Sequence, residues 1–300
     1  MEPEDIFSAA IRHHHAGRLA EAEALYRQIL AAHPGHAGSL HRLGVIAIQR
    51  RDYDGAVALI GSAIAAEPQG PAATYHNSMA VALRRAGRPE QAAEHYRQVV
   101  RLRPDSADAH VDLGAVLKDC GRPDAAVALY LQALALRPEH AEAHYNLALV
   151  HREQNRPDEA IASYRHAIAL EPSHGRAFAD LGVLLQEQGR LDEAASCLRR
   201  ALSLDPDSPS LCNNLAIVLR EQGKPDEAAI CCRRALELDP RSAPAYNMLA
   251  LLLKDLGRLD HAAACCRKAL EIAPDDPETL HNLEAILEEM GAAGDSRTPA

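Results

Sequence analysis

Tryptophan is absent from this chain, and phenylalanine occurs only at Phe7 and Phe178. A hydrophobic content of 47% is therefore drawn mostly from Ala and Leu. A chain so short of aromatic and β-branched residues is a poor sheet former and a good helix former. Positive charge is also lacking. The net charge of −10 argues against nucleic acid as a partner, because phosphate binding needs a cationic stripe. No apolar run approaches the roughly 20 residues that span a bilayer, so no membrane partner is expected. The N-terminus, Met1-Glu2-Pro3-Glu4-Asp5, lacks the layout of a signal peptide. Seven cysteines, an odd number, read as free thiols in a reducing compartment, and the expected location is cytoplasmic. No Gly-rich phosphate loop or nucleophile elbow is found, and no enzyme activity is expected.

What the chain does have is a period. Pro34, Pro68, Pro104, Pro138, Pro172, Pro206, Pro240 and Pro274 are 34 residues apart, with one step of 36 near Gly70-Pro71. A constant spacing of this length means stacked copies of one supersecondary unit rather than a single globular core.

Residues 141–174 show the unit. His144, Tyr145, Leu147, Ala148 and His151 follow the spacing of an amphipathic helix. Asn155-Arg156-Pro157-Asp158-Glu159 stops that helix and starts another. Asn tolerates the left-handed conformation, and Gly121, Gly189, Gly223 and Gly257 hold the same place. Pro157 suits a first helical turn, where Asp158 and Glu159 complement the dipole. Ala160, Tyr164, Ala167 and Ile168 form the second apolar face. Within the units, position 8 is always small (Ala10, Gly44, Ala80, Gly114, Ala148, Gly182, Ala216, Ala250). Position 20 is always alanine, from Ala22 to Ala262. Small residues there let paired helices approach closely.

These residues resemble the tetratricopeptide repeat. The resemblance implies an all-α fold, a right-handed superhelical solenoid of antiparallel helix pairs. Eight units are expected, at 3–36, 37–70, 73–106, 107–140, 141–174, 175–208, 209–242 and 243–276. The Trp usual at position 4 is replaced by His76, His110, His144, Phe178, Cys212 and Tyr246. Residues 277–291, with Leu280, Leu283, Ile286 and Leu287 on one face and Glu284 at position 8, read as a solvating capping helix, and 292–300 as a disordered tail. Stretches such as Asn146-Leu147-Ala148 and Tyr164-Arg165-His166-Ala167 also look similar to the repeat arm of bacterial O-GlcNAc-transferase-like proteins, with no residues left for a catalytic domain.

In the repeat family the first helices line a concave groove through positions 2, 5, 6, 9, 12 and 13. Here position 6 reads Asp112, Asn146, Asp180, Asn214, Met248 and Asn282. The similar transferase arm carries an Asn ladder at this position, where an amide pairs with both N–H and C=O of an extended peptide. Asn146, Asn214 and Asn282 match that ladder; the alternative is a row of solvated polar residues. Asn213, Asn247, Arg152, Arg220 and Lys254 complete the expected binding groove. Position 13 forms an acidic column of Asp119, Glu153, Glu187, Glu221, Asp255 and Glu289. Either these carboxylates face a ligand, or each pairs with the base three residues on (Arg122, Arg156, Arg190, Lys224, Arg258). Over the groove positions the formal charge is +2 in the first three repeats and −7 from the fourth on. Such a field orients a ligand more than it tightens it.

Cys231-Cys232 and Cys265-Cys266 recur at the repeat spacing, after Cys197. Neighbouring helical residues point about 100° apart, so these pairs, like His13-His14-His15, are unsuited to close on one metal ion. Cys232 and Cys266 share position 24 with Tyr96, Tyr130 and Tyr164, which points to core packing. No cofactor is expected. The expected function is a noncatalytic scaffold or adaptor holding an extended protein segment with a basic portion. The alternative is the recognition arm of an O-linked glycosyltransferase system whose catalytic domain lies on another chain or is missing.

Overall fold

The computed structural model describes residues 3–68 and 72–295. The insertion expected at Gly70-Pro71 and residues 296–300 lie outside the described residues. Seventeen α-helices and no strand are present among those described. The chain divides into two compact units between Asn155 and Arg156. Unit one holds α1 (Pro3–His15), α2 (Leu19–Ala32), α3 (Ala37–Gln49), α4 (Tyr53–Ala66), α5 (Ala72–Arg85), α6 (Pro89–Leu102), α7 (Ala107–Asp119), α8 (Pro123–Leu136) and α9 (Ala141–Glu153). Unit two holds α10 (Pro157–Leu170), α11 (Gly175–Glu187), α12 (Leu191–Leu204), α13 (Pro209–Glu221), α14 (Pro225–Leu238), α15 (Ala243–Asp255), α16 (Leu259–Ile272) and α17 (Pro277–Asp295). The last helix runs on through 292–295, where a disordered tail was expected. Ala292 and Ala293, both strong helix formers, sit just past the expected stop.

Each pair is set by its turn. At the end of α7, Gly121 adopts φ +70°, so the Gly121 N–H reaches the Lys118 carbonyl and the Arg122 N–H reaches that of Leu117, both at 2.9 Å. This satisfies carbonyls that the helix end leaves unpaired. Asn155 takes the same conformation at φ 57°, as its side chain allows, and Arg51 does so at φ 64°. Arginine has no special tolerance for that region, and the sequence does not announce it. Pro89, Pro123, Pro157 and Pro225 open second helices at the first position, where the missing N–H is harmless.

First helices are capped by side chains. Ser106, Ser208, Ser242 and Asp276 each accept from the backbone N–H three residues on. His36, His140 and His174 do the same through Nδ1, at 3.1, 3.4 and 3.2 Å. Histidine is outside the usual capping set, so sequence reasoning missed these three. Only an unprotonated Nδ1 can accept, which makes these caps ones for the neutral ring.

The small residues at position 8 govern the packing. A Cβ built on Gly44 would lie 2.5 Å from Ile60, on Gly114 2.6 Å from Tyr130, and on Gly182 2.7 Å from Leu198. In each case the opposing residue occupies position 24 of the partner helix and is fully buried. Position 20 alanines, from Ala22 and Ala56 to Ala228 and Ala262, are fully buried too. Cys232 and Cys266 fill position 24 opposite Ala216 and Ala250, with no exposure. Burial pushes the Cys232 thiol up to about 12, so it packs as a neutral small hydrophobe.

Beyond their partners, several first helices touch the next: α3 with α5 and α7 with α9 in unit one, then α11 with α13, α13 with α15 and α15 with α17 in unit two. Second helices lie against the following first helix, as α6 does against α7 and α14 against α15. Consecutive first helices therefore build a shared face within each unit. Gly114→Ala should leave helix content unchanged by circular dichroism but lower the urea unfolding free energy by about 1–2 kcal/mol, because the Tyr130 ring must shift. An unaltered midpoint would show that the pair is not closely packed there.

Candidate protein-binding face

The expected groove residues all lie on first helices. Asn146 on α9 donates to Glu142 at 3.3 Å. Asn282 on α17 donates to the Asn247 Oδ1 at 3.0 Å, and Asn247, buried on α15, donates to Glu278 at 3.2 Å. These three amides are thus engaged within the protein. Asp112 on α7 is half-buried, and burial together with Asp108 pushes its carboxyl up to about 6 against the pull of Arg84. Asp180 is half-buried on α11. Arg152 stands on α9 and Glu187 on α11, in different units.

The acidic column has a partner that the sequence reading did not consider. Asp119 accepts from Arg84 at 2.7 Å and Glu153 from Lys118 at 3.1 Å. Asp255 accepts two bonds from Arg220, at 2.6 and 3.1 Å, and Lys254 lies 3.8 Å from Glu289. Glu221 accepts from Gln186 at 2.7 Å. Each link spans 35 residues, from position 12 of one first helix to position 13 of the next. The proposed pairing three residues on is corrected: Arg190 instead reaches forward to Glu193. The physical reason is reach. Position 13 ends its helix beside the neighbouring first helix, whereas the base three residues on begins the second helix. Exposed pairs of this kind contribute a few tenths of a kcal/mol each, so the ladder fixes side-chain direction more than stability.

Asn213 and Asn214 on α13 differ from the other amides. With Pro209, Ser210, Asp239, Arg241, Ser242, Ala243, Pro244 and Ile272 they line a cavity of about 530 Å³. A second cavity of about 220 Å³ adjoins it, sharing Asn213, Ala243 and Pro244 and adding Ile217, Asn247 and Met248. The Asn213 Oδ1 is buried there without a hydrogen-bond partner. Such an atom costs about 1–3 kcal/mol if left unpaired, and its neighbourhood is where a donor is wanted. Both asparagines belong to the expected groove, and no other unit has such a pair.

No three His, Cys, Asp or Glu side chains converge as metal ligands among the described residues. No helix among them is long and apolar enough to cross a membrane.

A family described as the cilia and flagella-associated protein 70 C-terminal domain matches residues 70–290, and the tetratricopeptide-repeat family matches residues 13–80. No curated protein matches the chain. Among solved structures, YrrB, described as a TPR protein with an unusual peptide-binding site, is similar at 24% identity and a TM-score of 0.56, over 63% of this chain and 97% of its own. PilF of Pseudomonas aeruginosa is similar at 24% identity and TM-score 0.62, over 70% and 96%. The APC/C hetero-tetramer Cut9–Hcn1 is similar at 18% identity and TM-score 0.63, over 89% and 52%. At these identities the likeness is one of fold.

In unit one the same face carries a buried histidine. His41 on α3 sits 2.8 Å from the Ser78 hydroxyl of α5 by its Nε2, with its ring 4.8 Å from that of Tyr75. Burial, helped by Arg42, lowers its pKa from 6.5 to about 4. Between those values the unfolded chain binds a proton that the folded one does not, so stability falls as pH falls. The His41 contribution should reduce the unfolding free energy by about 2 kcal/mol between pH 7.5 and pH 5.0. Urea titrations at both pH values check this: His41→Gln should lose correspondingly less stability on acidification than the parent. Equal losses would contradict a buried neutral ring.

Proposed function

The chain belongs to the tetratricopeptide-repeat family, matched over most of its length by the cilia and flagella-associated protein 70 C-terminal domain, and on that premise we propose a noncatalytic scaffold that holds an extended protein segment along its first helices. The observation that carries this reading is the trough between α13 and α15. It combines apolar walls at Pro209, Pro244, Ile217 and Ile272 with amides from Asn213 and Asn214. A polypeptide in extended form offers what such a trough takes, side chains for the walls and backbone N–H and C=O for the amides. YrrB, similar in fold, is described as having a peptide-binding site, which agrees with this use of the repeat.

The partner segment carries a basic portion, drawn to the acidic positions of the later repeats. Free thiols at all seven cysteines suit the cytoplasm as the working compartment. The scaffold is preferred to a glycosyltransferase arm because two of the three matching ladder amides, Asn146 and Asn282, are bonded within the protein.

A photo-crosslinking residue placed at Ile217, which lines the trough, should yield protein adducts in cells. The same residue at Ile230, exposed on α14 and outside that trough, should not. Adducts from Ile230 alone, or from neither site, would contradict a first-helix binding face.

A further inference from the structure

Along α13 two features coincide that the neighbouring first helices do not share. One is the buried Asn213 Oδ1 without a partner, at the junction of the two cavities. The other is Glu221 at the far end of the helix. Asp119, Glu153, Asp255 and Glu289 each face an arginine or lysine of the preceding first helix. Glu221 accepts instead from the neutral amide of Gln186, with an electrostatic attraction to Arg220 beside it. Position 12 reads Arg84, Lys118, Arg152, Gln186, Arg220 and Lys254, so Gln186 is the one neutral residue among these six. The Arg220 beside Glu221 in sequence has its guanidinium turned to Asp255 by two hydrogen bonds. Lys224, one turn on, bonds Gln222. The Glu221 carboxylate is exposed.

We propose that α13 is a two-point reader: the trough at Asn213 takes an apolar residue of an extended segment, and Glu221 takes a lysine or arginine three residues further along it. The spacing follows from geometry. Asn214, which lines the same cavity as Asn213, lies seven residues before Glu221, a rise of about 10 Å at 1.5 Å per residue. An extended chain covers that length in three residues at about 3.3 Å each. Ile217, midway, lines the smaller cavity and gives the intervening segment an apolar floor. At the trough, the Asn213 Oδ1 accepts a backbone N–H of the segment, which supplies the missing donor. Pro209, Ala243, Pro244 and Ile272 offer that residue apolar contact, in a cavity that Asp239 and Arg241 also line. This inference rests on the binding face proposed above and adds what the face selects.

The probe is an acetylated, amidated hexapeptide, Ala-Leu-Ser-Ser-Lys-Ala, with versions carrying glutamate for lysine and serine for leucine. Binding is followed by amide and methyl NMR shifts of the full chain, at low and at high salt. The parent peptide should shift Asn213, Ile217 and Glu221 together. Both altered versions should bind at least threefold more weakly at low salt. Glu221→Gln, and separately Gln186→Lys, should weaken the lysine peptide by a similar factor, while the glutamate peptide binds at least as well as it does to the parent. Asn213→Ala should weaken all three, with circular dichroism confirming the fold. Equal binding of the lysine and glutamate peptides, shifts confined to other helices, or no shifts at millimolar peptide would each overturn the two-point reader. Adducts at Ile217 in cells that persist unchanged in Glu221→Gln would likewise overturn it while leaving the general binding face standing.

Discussion

Everything in this fold depends on the contact between a small residue at position 8 of each first helix and the side chain at position 24 of its partner. Where that side chain is Ile60, Tyr130 or Leu198, the opposing residue is glycine, and even one added carbon would overlap. Where it is Cys232 or Cys266, alanine stands opposite, as it also does for Tyr26, Tyr96 and Tyr164, and in each case the position 24 side chain is buried. Tight pairing keeps the second helix engaged with its own partner. The polar residues of the first helix are then free to meet the neighbouring first helix and whatever lies above it.

That second set of contacts changes what the charges on the face mean. Summing formal charge counts both members of pairs such as Arg220–Asp255 and Arg84–Asp119, and treats as available what is already bonded. Within each unit the column works largely as a set of braces between successive first helices. A ligand does not meet a uniform acidic strip. It meets local exceptions, of which Glu221 is the clearest, set on the same helix as the buried Asn213 Oδ1 that lacks an internal partner.

The helix pairs were legible because their signals are local. Prolines at the unit ends, asparagine or glycine in the turns, and small residues at positions 8 and 20 each act within a few residues or across one pair. The braces were not, because a link of 35 residues joins equivalent helices of successive units and leaves no mark at helical spacing. The histidine caps at His36, His140 and His174 escaped for a different reason, since imidazole fills a role usually read from Ser, Thr, Asp and Asn. The expected groove residues do lie on first helices. Which of its amides face inward, as Asn247 does, depends on neighbours three-dimensionally adjacent and was beyond periodicity alone.

The reading of this face turns on the acidic column being bonded to the preceding helix. A double-mutant cycle on Arg220 and Asp255, using Arg220→Gln and Asp255→Asn with urea unfolding at low salt and at 1 M salt, measures that bond directly. The account predicts a coupling of about 0.3–1 kcal/mol at low salt that shrinks strongly at high salt. A coupling of zero at low salt would mean that the carboxylates stand free, and that the column is a surface for ligands rather than a brace.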